Sequence, residues 1–478
     1  MSIVISNFRQ PNGSILQSIN LKPDTLDLCD STGKYSVDFT QIVPFVPFKH
    51  GQAVFGGYFG DEGKGKEVDI SAQKYKNAGY KILSIRGQGS GNAGHTVVVD
   101  GKKFDFHYLT SAGLLADIML LGPGMLIDPI RLLEEAKQLP GDRGKIIKVA
   151  ERATIVSNLE RAMDGWVENQ RTNSGQKAIG TTKSGVGPGV GNRGYRVHVT
   201  FADALHCKNI SEFMDLYLKN PLLPNEVKSV LDFEYAEELW DAIQKLDVVD
   251  SVELISYCRT ARNWAVLLEV SQAVLLDPLF GNGGHFCTSM TCTDIGGAAF
   301  AGLTMHDFSD GSNLILKAYG SKVGGGPYIT KFTPEEQNIA DFIDDMVGEH
   351  GVTTGRKRDL GWFDAPAVRH SINLTGADIC VNCMDVIAAL PAVTDHVKVC
   401  FAYKNKITDE VTYNWPYHLD DYEPLYVSLP INDKTEVQII AEYILLIEML
   451  IGRKIKGYGV GPSREDYRNR EAAFDYLM

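Results

Sequence analysis

The sequence predicts an α/β protein with a mainly parallel central sheet flanked by helices. Three observations carry that prediction. At Ala53 an apolar run, AVFGGYF, enters a glycine-rich turn, and KEVDISAQKYKNAG continues as a helix, the strand–loop–helix order of a nucleotide-binding unit. Short apolar runs then recur: YKILSIRG near 80–87, NWAVLLEV at 263–270, SNLILKAYG at 312–320 and ADICVNCMDVI at 377–387. Each is bounded by glycine or polar turns, and helical stretches lie between several of them, as strands covered on both faces require.

Taken in chain order, residues 1–50 hold turn formers and short β-branched runs such as YSVDFTQIVPFV, and read as an N-terminal extension of small strands or an extended arm. Residues 51–478 read as one α/β domain with insertions, because no repeat, low-complexity tract or linker interrupts them. After Lys331, Thr333 can cap a helix, Pro334 suits its first turn and Glu336 completes a capping box. VQIIAEYILLIEMLIG at 437–452 is broken by Glu442 and Glu448 and falls short of the ~20 residues a membrane span needs, so it reads as a buried amphipathic helix.

Composition excludes several classes. Asp and Glu (60) outnumber Lys and Arg (47), and a formal charge of -13 disfavours attachment to nucleic acid or to an anionic membrane. A phosphorylated ligand must therefore meet a local basic cluster. The eight cysteines are scattered, and Cys380-Val-Asn-Cys383 has no second pair to complete a zinc site, so reduced thiols are expected. The N-terminal MSIVISNFRQPNGS has no basic stretch followed by an apolar core, which makes the cytoplasm the expected compartment.

The chemistry starts at GDEGKGKE, a near copy of the phosphate-loop pattern G-x-x-x-x-G-K-[ST] with Glu67 where the metal-binding hydroxyl should be. Gly60, Gly63 and Gly65 let backbone approach phosphates closely, and Lys64 and Lys66 add charge at a helix start. Asp61, a carboxylate among phosphate-binding groups, should either bind Mg²⁺ or act as a base. A second glycine-rich loop, RGQGSGNAGHT, carries Asn92, Gly94 and His95, where a histidine can reach a substrate oxygen and a carbonyl can face a cation. TTGRKR offers the hydroxyls of Thr353 and Thr354 and the planar donors of Arg356 and Arg358, a natural receptor for a dicarboxylate.

Together with AIGTTKSGVGPG at 178–189, LLEVSQAVLLD at 267–277, ILKAYGSKVGGGP at 315–327, GVTTGRKRDLGWFDAPAVR at 351–369 and YGVGPSRED at 458–466, these loops resemble the adenylosuccinate synthetase family across roughly residues 52–468. The resemblance implies that family's P-loop-like nucleotide-binding fold and a ligase of purine nucleotide biosynthesis that forms a C–N bond. The γ-phosphate of GTP passes to the 6-oxygen of IMP, and the amino group of L-aspartate displaces it to give adenylosuccinate. Carried over by motif, Asp61 is the base, His95 the acid, and Lys64 and Gln272 assist catalysis. The triphosphate falls to Gly60, Glu62, Gly63, Lys64, Gly65, Lys66, Gly94, His95, Thr96, Asp385, Gly459 and Gly461. IMP falls to Asn92, Thr181, Thr182, Gln272 and Thr288, and aspartate to Thr353, Thr354, Arg356 and Arg358. Asp61 and the Gly94 carbonyl are the implied Mg²⁺ ligands, and the implied assembly is a homodimer with a shared active site.

Some blocks depart from the family pattern. The base-reading T-K-L-D appears as Asn382-Cys383-Met384-Asp385, which opens the choice between GTP and ATP. The loop after Pro188 is short, so the arginine that reaches the partner subunit's phosphate aligns with Asn192 or Arg193, and charge favours Arg193. A related viral branch joins aspartate to dGMP and typically carries a smaller residue at the loop aspartate; Asp61 favours IMP here. A non-catalytic purine-nucleotide sensor on the same fold is the other alternative, disfavoured because it has no need of both Asp61 and His95.

Overall fold

The apolar runs pair into an 11-stranded sheet. In the computed structural model, residues 2–9, 15–22, 28–30, 33–35, 45–92, 94–99, 101–176, 179–281, 286–322, 324–350 and 357–477 are described. The chain divides into two compact units, 1–46 and 47–478. In the first, Ser2–Arg9 pairs antiparallel with Ile15–Lys22, and Leu28–Asp30 with Gly33–Tyr35.

The main sheet of the second unit contains β1 (His50–Gly56), β2 (Lys81–Gly89), β3 (Ile118–Ile127), β4 (Ile147–Ala150), β5 (Thr154–Ile155), β6 (Val248–Val249), β7 (Trp264–Ala273), β8 (Ser312–Lys317), β9 (Asp378–Asn382), β10 (Gly457–Gly459) and β11 (Tyr467–Asn469). Their spatial order is β6-β4-β3-β2-β7-β1-β8-β9-β10-β11, with β5 beside β3. All pairings are parallel except β10 with β11. The expected mainly parallel sheet is therefore observed. A smaller sheet joins Phe363–Asp364, His396–Asn405, Val411–Thr412 and Tyr422–Pro430, and its pairings are antiparallel apart from the first.

Central strands bury nearly every side chain, which is why they read as unbroken apolar runs. Helices α1 (Lys64–Asn77), α2 (Asn158–Asn173), α3 (Val186–Gly194), α4 (Asp294–Ala301), α5 (Ala365–Thr375), α6 (Met384–Ala389) and α7 (Glu436–Ile451) connect or cover them. α1 packs on β1, β2 and β7, and α4 on β2, β3 and β7. The capping box at Thr333 and Glu336 forms and leads into the helix Gln337–Val347. α7 starts at a Thr435–Gln438 capping box and ends at left-handed Gly452; its buried Glu448 is met by Arg470 at 2.6 Å. Among the described residues no helix is long and apolar enough to cross a membrane.

This order brings the carboxyl ends of β1, β2, β7, β8 and β9 side by side, the edge where open parallel sheets bind ligands.

Candidate active site

The loop after β1 is shaped by left-handed backbone at Gly60 (φ 95), Asp61 (φ 60) and Gly63 (φ 85). A Cβ on Gly63 would lie 2.7 Å from the Asn382 amide nitrogen, so both conformation and space demand glycine there. Gly63 caps α1 without any side-chain hydrogen bond, which leaves the helix's first amides for a ligand. Glu62 is buried and accepts from the Tyr58 and Gly60 amides at 3.2 and 2.7 Å and from Lys64 Nζ at 3.1 Å. It is a strut of the loop and also borders the cavity beside it. Glu67 faces the sheet: buried, it accepts from Asn313 Nδ2 at 2.9 Å, and burial pushes its carboxyl up. The residue in the hydroxyl position therefore belongs to the core.

Asp61 is the exposed member of a four-charge cluster, with 41% of its side chain open. It pairs with Arg358 Nη1 and lies 3.9 Å from Lys317 Nζ. The other anion, Glu349, is 2% exposed and holds Lys317 and Arg358 at 2.7 Å each. It also accepts from the Tyr319 and Ser321 hydroxyls. Burial alone would push the Glu349 carboxyl up; Lys317 and Arg358 outweigh it and hold it at about 2. Burial likewise opposes the Lys317 charge, and Glu349 and Asp61 more than restore it.

His95 opens the hairpin His95–Val99/Lys102–Phe106. Its Nδ1 lies 2.6 Å from Ser111 Oγ and 2.9 Å from Glu269 Oε1, and its Nε2 lies 3.3 Å from Arg86 Nη1. Glu269, buried in β7, also accepts from the Ser111 amide at 2.7 Å. Burial would raise its carboxyl, but His95, Arg86 and the Ser111 amide hold it at about 2. An ionised Glu269 is an acceptor, so Nδ1 carries the proton facing it and the ring orientation is fixed. Three residues on, a register shift in β7 coincides with left-handed Gln272 (φ 65), whose Oε1 accepts from Cys292 Sγ at 3.8 Å.

Asp61, Lys317, Glu349 and Arg358 border one cavity of about 1540 Å³ together with Arg86, His95, Glu269 and Gln272. A single small-molecule site is usually ~300–1,000 Å³, so this one has room for several ligands at once. The family model for adenylosuccinate synthetase matches residues 53–468. The chain belongs to the adenylosuccinate synthetase family. It is accordingly a C–N ligase of purine biosynthesis, from a family that joins aspartate to IMP.

Adenylosuccinate synthetase of Clostridioides difficile (strain 630) is 32% identical over 434 residues, spanning 86% of this chain and 96% of that protein. The Plasmodium vivax (strain Salvador I) enzyme is 29% identical over 439 residues, 87% and 95% of the two chains. A fully ligated adenylosuccinate synthetase structure from Plasmodium falciparum superposes with a TM-score of 0.77 at 26% identity, covering 87% of this chain and 98% of that one. Cyanophage S-2L succinoaminodeoxyadenylate synthetase, solved with dGMP and dATP as an energy donor, shares the fold at 18% identity and a TM-score of 0.55, covering 90% and 100%.

Of the positions the family motifs single out, the cavity gathers Gly60, Asp61, Glu62, Gly63, Lys64, Gly65 and Lys66 from the first loop and Asn92, Gly94, His95 and Thr96 from the second. Thr181, Thr182, Gln272, Thr288, Asp385 and Gly461 line it as well. Lys66 donates to the Gly461 carbonyl at 2.9 Å, beside Cys383 and Asp385. Gly459 stands behind this contact, because a Cβ there would lie 2.1 Å from Lys66 Nζ. Gly459 makes room for a ligand residue and is not itself in the cavity wall. Thr353, Thr354 and Arg356 lie outside the described residues; His350 and Lys357, which flank them, form an antiparallel bridge. Arg358, expected at the aspartate, borders the cavity and pairs there with Glu349 and Asp61.

Arg193 is bound within its own chain. Its guanidinium donates to Thr154 Oγ1 at 2.8 Å and to the carbonyls of Gly124 and Met125 at 3.3 Å. Asn192 is spent on Glu160 at 3.2 Å and Asn220 at 3.4 Å. Asn192 also borders the cavity. Glu269, Glu349, Lys317 and Ser111 were not singled out from sequence, although a charge inside an apolar strand, as in LLEVSQ and LILKAYG, signals a buried partner.

Proposed function

We propose that this ligase uses GTP to activate IMP at the 6-oxygen and then joins L-aspartate to it, releasing GDP and phosphate. The observation that carries this reading is that Asp61 and His95, each held by its own buried carboxylate system, border the same cavity. Asp61 removes the N1 proton, so the 6-oxygen becomes nucleophilic and attacks the γ-phosphorus as GDP leaves. The aspartate amine then attacks C6, the C6–O bond breaks, and phosphate departs with the former 6-oxygen. His95, with Nδ1–H toward Glu269, serves that oxygen as the imidazolium, donating from a protonated Nε2 that turns from its 3.3 Å approach to Arg86 to the ligand. Lys64 and the amides of Gly63 and Gly65 neutralise the transferring phosphoryl group, and Gln272 steadies the purine. Asn92, Thr181, Thr182 and Thr288 surround the monophosphate. Gly60, Gly94, Thr96, Lys66, Asp385 and Gly461 border the triphosphate. Thr353, Thr354 and Arg356 receive the aspartate carboxylates, while Arg358 orients Asp61.

Mg²⁺ fits as a cation shared with the substrates. Among the described residues no group of three or more His, Cys, Asp or Glu side chains could hold a metal alone. One carboxylate oxygen of Asp61 and the Gly94 carbonyl, both hard donors, would complete a set made mostly of phosphate oxygens and water. When bound, the ion neutralises charge on the transferring phosphates.

A second reading, dGMP as acceptor with ATP as donor, is favoured by one feature. The base-reading segment carries Cys383 in left-handed conformation (φ 63) where the family has lysine. One panel decides: IMP or dGMP crossed with GTP or ATP, each with aspartate and Mg²⁺, followed by absorbance of the succinylated purine. Product from IMP with GTP supports the first reading, and product only from dGMP supports the second. Nucleotide binding without turnover would replace both with a sensor. A homodimer and a cytoplasmic location accompany the first reading; sedimentation and cell fractionation test them.

A further inference from the structure

We propose that Arg171 supplies the positive charge for the 5′-phosphate of the nucleoside monophosphate, from within the same chain. This rests on the reading that a purine monophosphate occupies the Thr181–Thr182 end of the cavity. On α2, Asp164, Glu168 and Arg171 fall at positions i, i+4 and i+7, one face of the helix, and all three border the cavity. The first two bind the loop after residue 179. Asp164 accepts from Thr181 Oγ1 at 2.9 Å and from the Gly185 amide at 3.1 Å, and Glu168 accepts from the Gly180 amide at 2.7 Å. They fix the loop, but they add two negative charges beside Thr182 and consume donors a phosphate would use. A dianion there needs a cation on the same face.

Arg171 meets that need. Its side chain borders the cavity, and its Nε has no hydrogen-bond partner among the described residues, so the guanidinium is not committed there to a protein acceptor. Desolvation pushes the Glu168 carboxyl up, but the amides of Gly180, Ile179 and Thr181 and then the Arg171 charge together bring it below its ordinary value. The other Lys and Arg side chains that border the cavity have other duties, Arg86 at Ser271 and the His107 carbonyl and Lys103 at Asp105 among them. Arg193 is bound to Thr154 and to the carbonyls of Gly124 and Met125, and Lys317 and Arg358 are bound to Glu349. Lys64 is bound to Glu62, and Lys66 to the Gly461 carbonyl. A guanidinium also matches phosphate oxygens in a way that an ammonium does not.

Calorimetry on the full chain with IMP and with inosine tests the assignment, the same pair being run with dGMP and deoxyguanosine. Arg171→Ala should weaken the monophosphate roughly ten- to a hundred-fold and the nucleoside by less than about two-fold, with Arg171→Lys in between. Equal losses for both ligands, or an unchanged monophosphate affinity, would overturn it. Mixing Arg171→Ala with Asp61→Asn chains should restore no turnover, because both residues serve one site; recovered activity would move Arg171 to the neighbour's site and overturn it too. Monophosphate binding without turnover would remove the proposed reaction and leave this test intact. A wild-type chain that binds no monophosphate would overturn both.

Discussion

Replacing Glu349 by glutamine removes one of two anions facing Lys317 and Arg358, and its size follows from the titration of that carboxyl. Glu349 is 2% exposed and is held at about 2 against an ordinary 4.5, a difference of roughly 3 kcal/mol at neutral pH. Because the folded carboxyl titrates below the unfolded one, this stabilisation is fully present above about 4.5 and is lost as pH falls toward about 2. Glutamine cannot ionise, so the gap between wild type and Glu349→Gln should follow the same curve. Thermal unfolding across that range is the assay. The variant should melt several degrees lower at neutral pH, and the two proteins should converge in acid. A variant as stable as wild type at neutral pH, or a gap that persists undiminished near pH ~3, would refute the reasoning.

Asp61→Asn keeps the shape of the loop and removes the base; turnover should fall by roughly 10²-fold or more while IMP affinity changes little, as steady-state rates and calorimetry will tell. Gly63→Ala forces a side chain into left-handed backbone 2.7 Å from Asn382, so stability should drop by about 1–2 kcal/mol and the triphosphate KM should rise. Glu67→Ser restores the phosphate-loop pattern in sequence yet should leave the Mg²⁺ dependence of the rate unchanged and lower the melting temperature, because position 67 faces Asn313. A tighter metal dependence in that variant would show that the hydroxyl can reach the ligand.

The parts of the fold carried by local pattern were legible. Runs such as NWAVLLEV and SNLILKAYG became central strands, and the glycine pattern of GDEGKGK located the loop that borders the cavity. β3 was not legible, because IMLLGPGMLI is broken by Gly122, Pro123 and Gly124. Gly124 is required there because a Cβ on it would lie 2.3 Å from the Gly87 carbonyl and 2.5 Å from Phe300. The same break explains Arg193. Carbonyls of irregular backbone at Gly124 and Met125 need donors, and charge alone cannot reveal that an arginine turns inward to serve them. Glu269 with Ser111, 158 residues apart, and Lys317 with Glu349, 32 apart, pair because strand order brings them together. Sequence shows each charge but not its partner.

The fate of the purine 6-oxygen tests the proposed chemistry most directly. IMP carrying a heavy-oxygen label at that position is incubated with aspartate, GTP, Mg²⁺ and the protein, and the released phosphate is examined by phosphorus NMR. Activation by phosphoryl transfer requires the label to appear in inorganic phosphate in step with adenylosuccinate formation. Adenylosuccinate formed with unlabelled phosphate would contradict it.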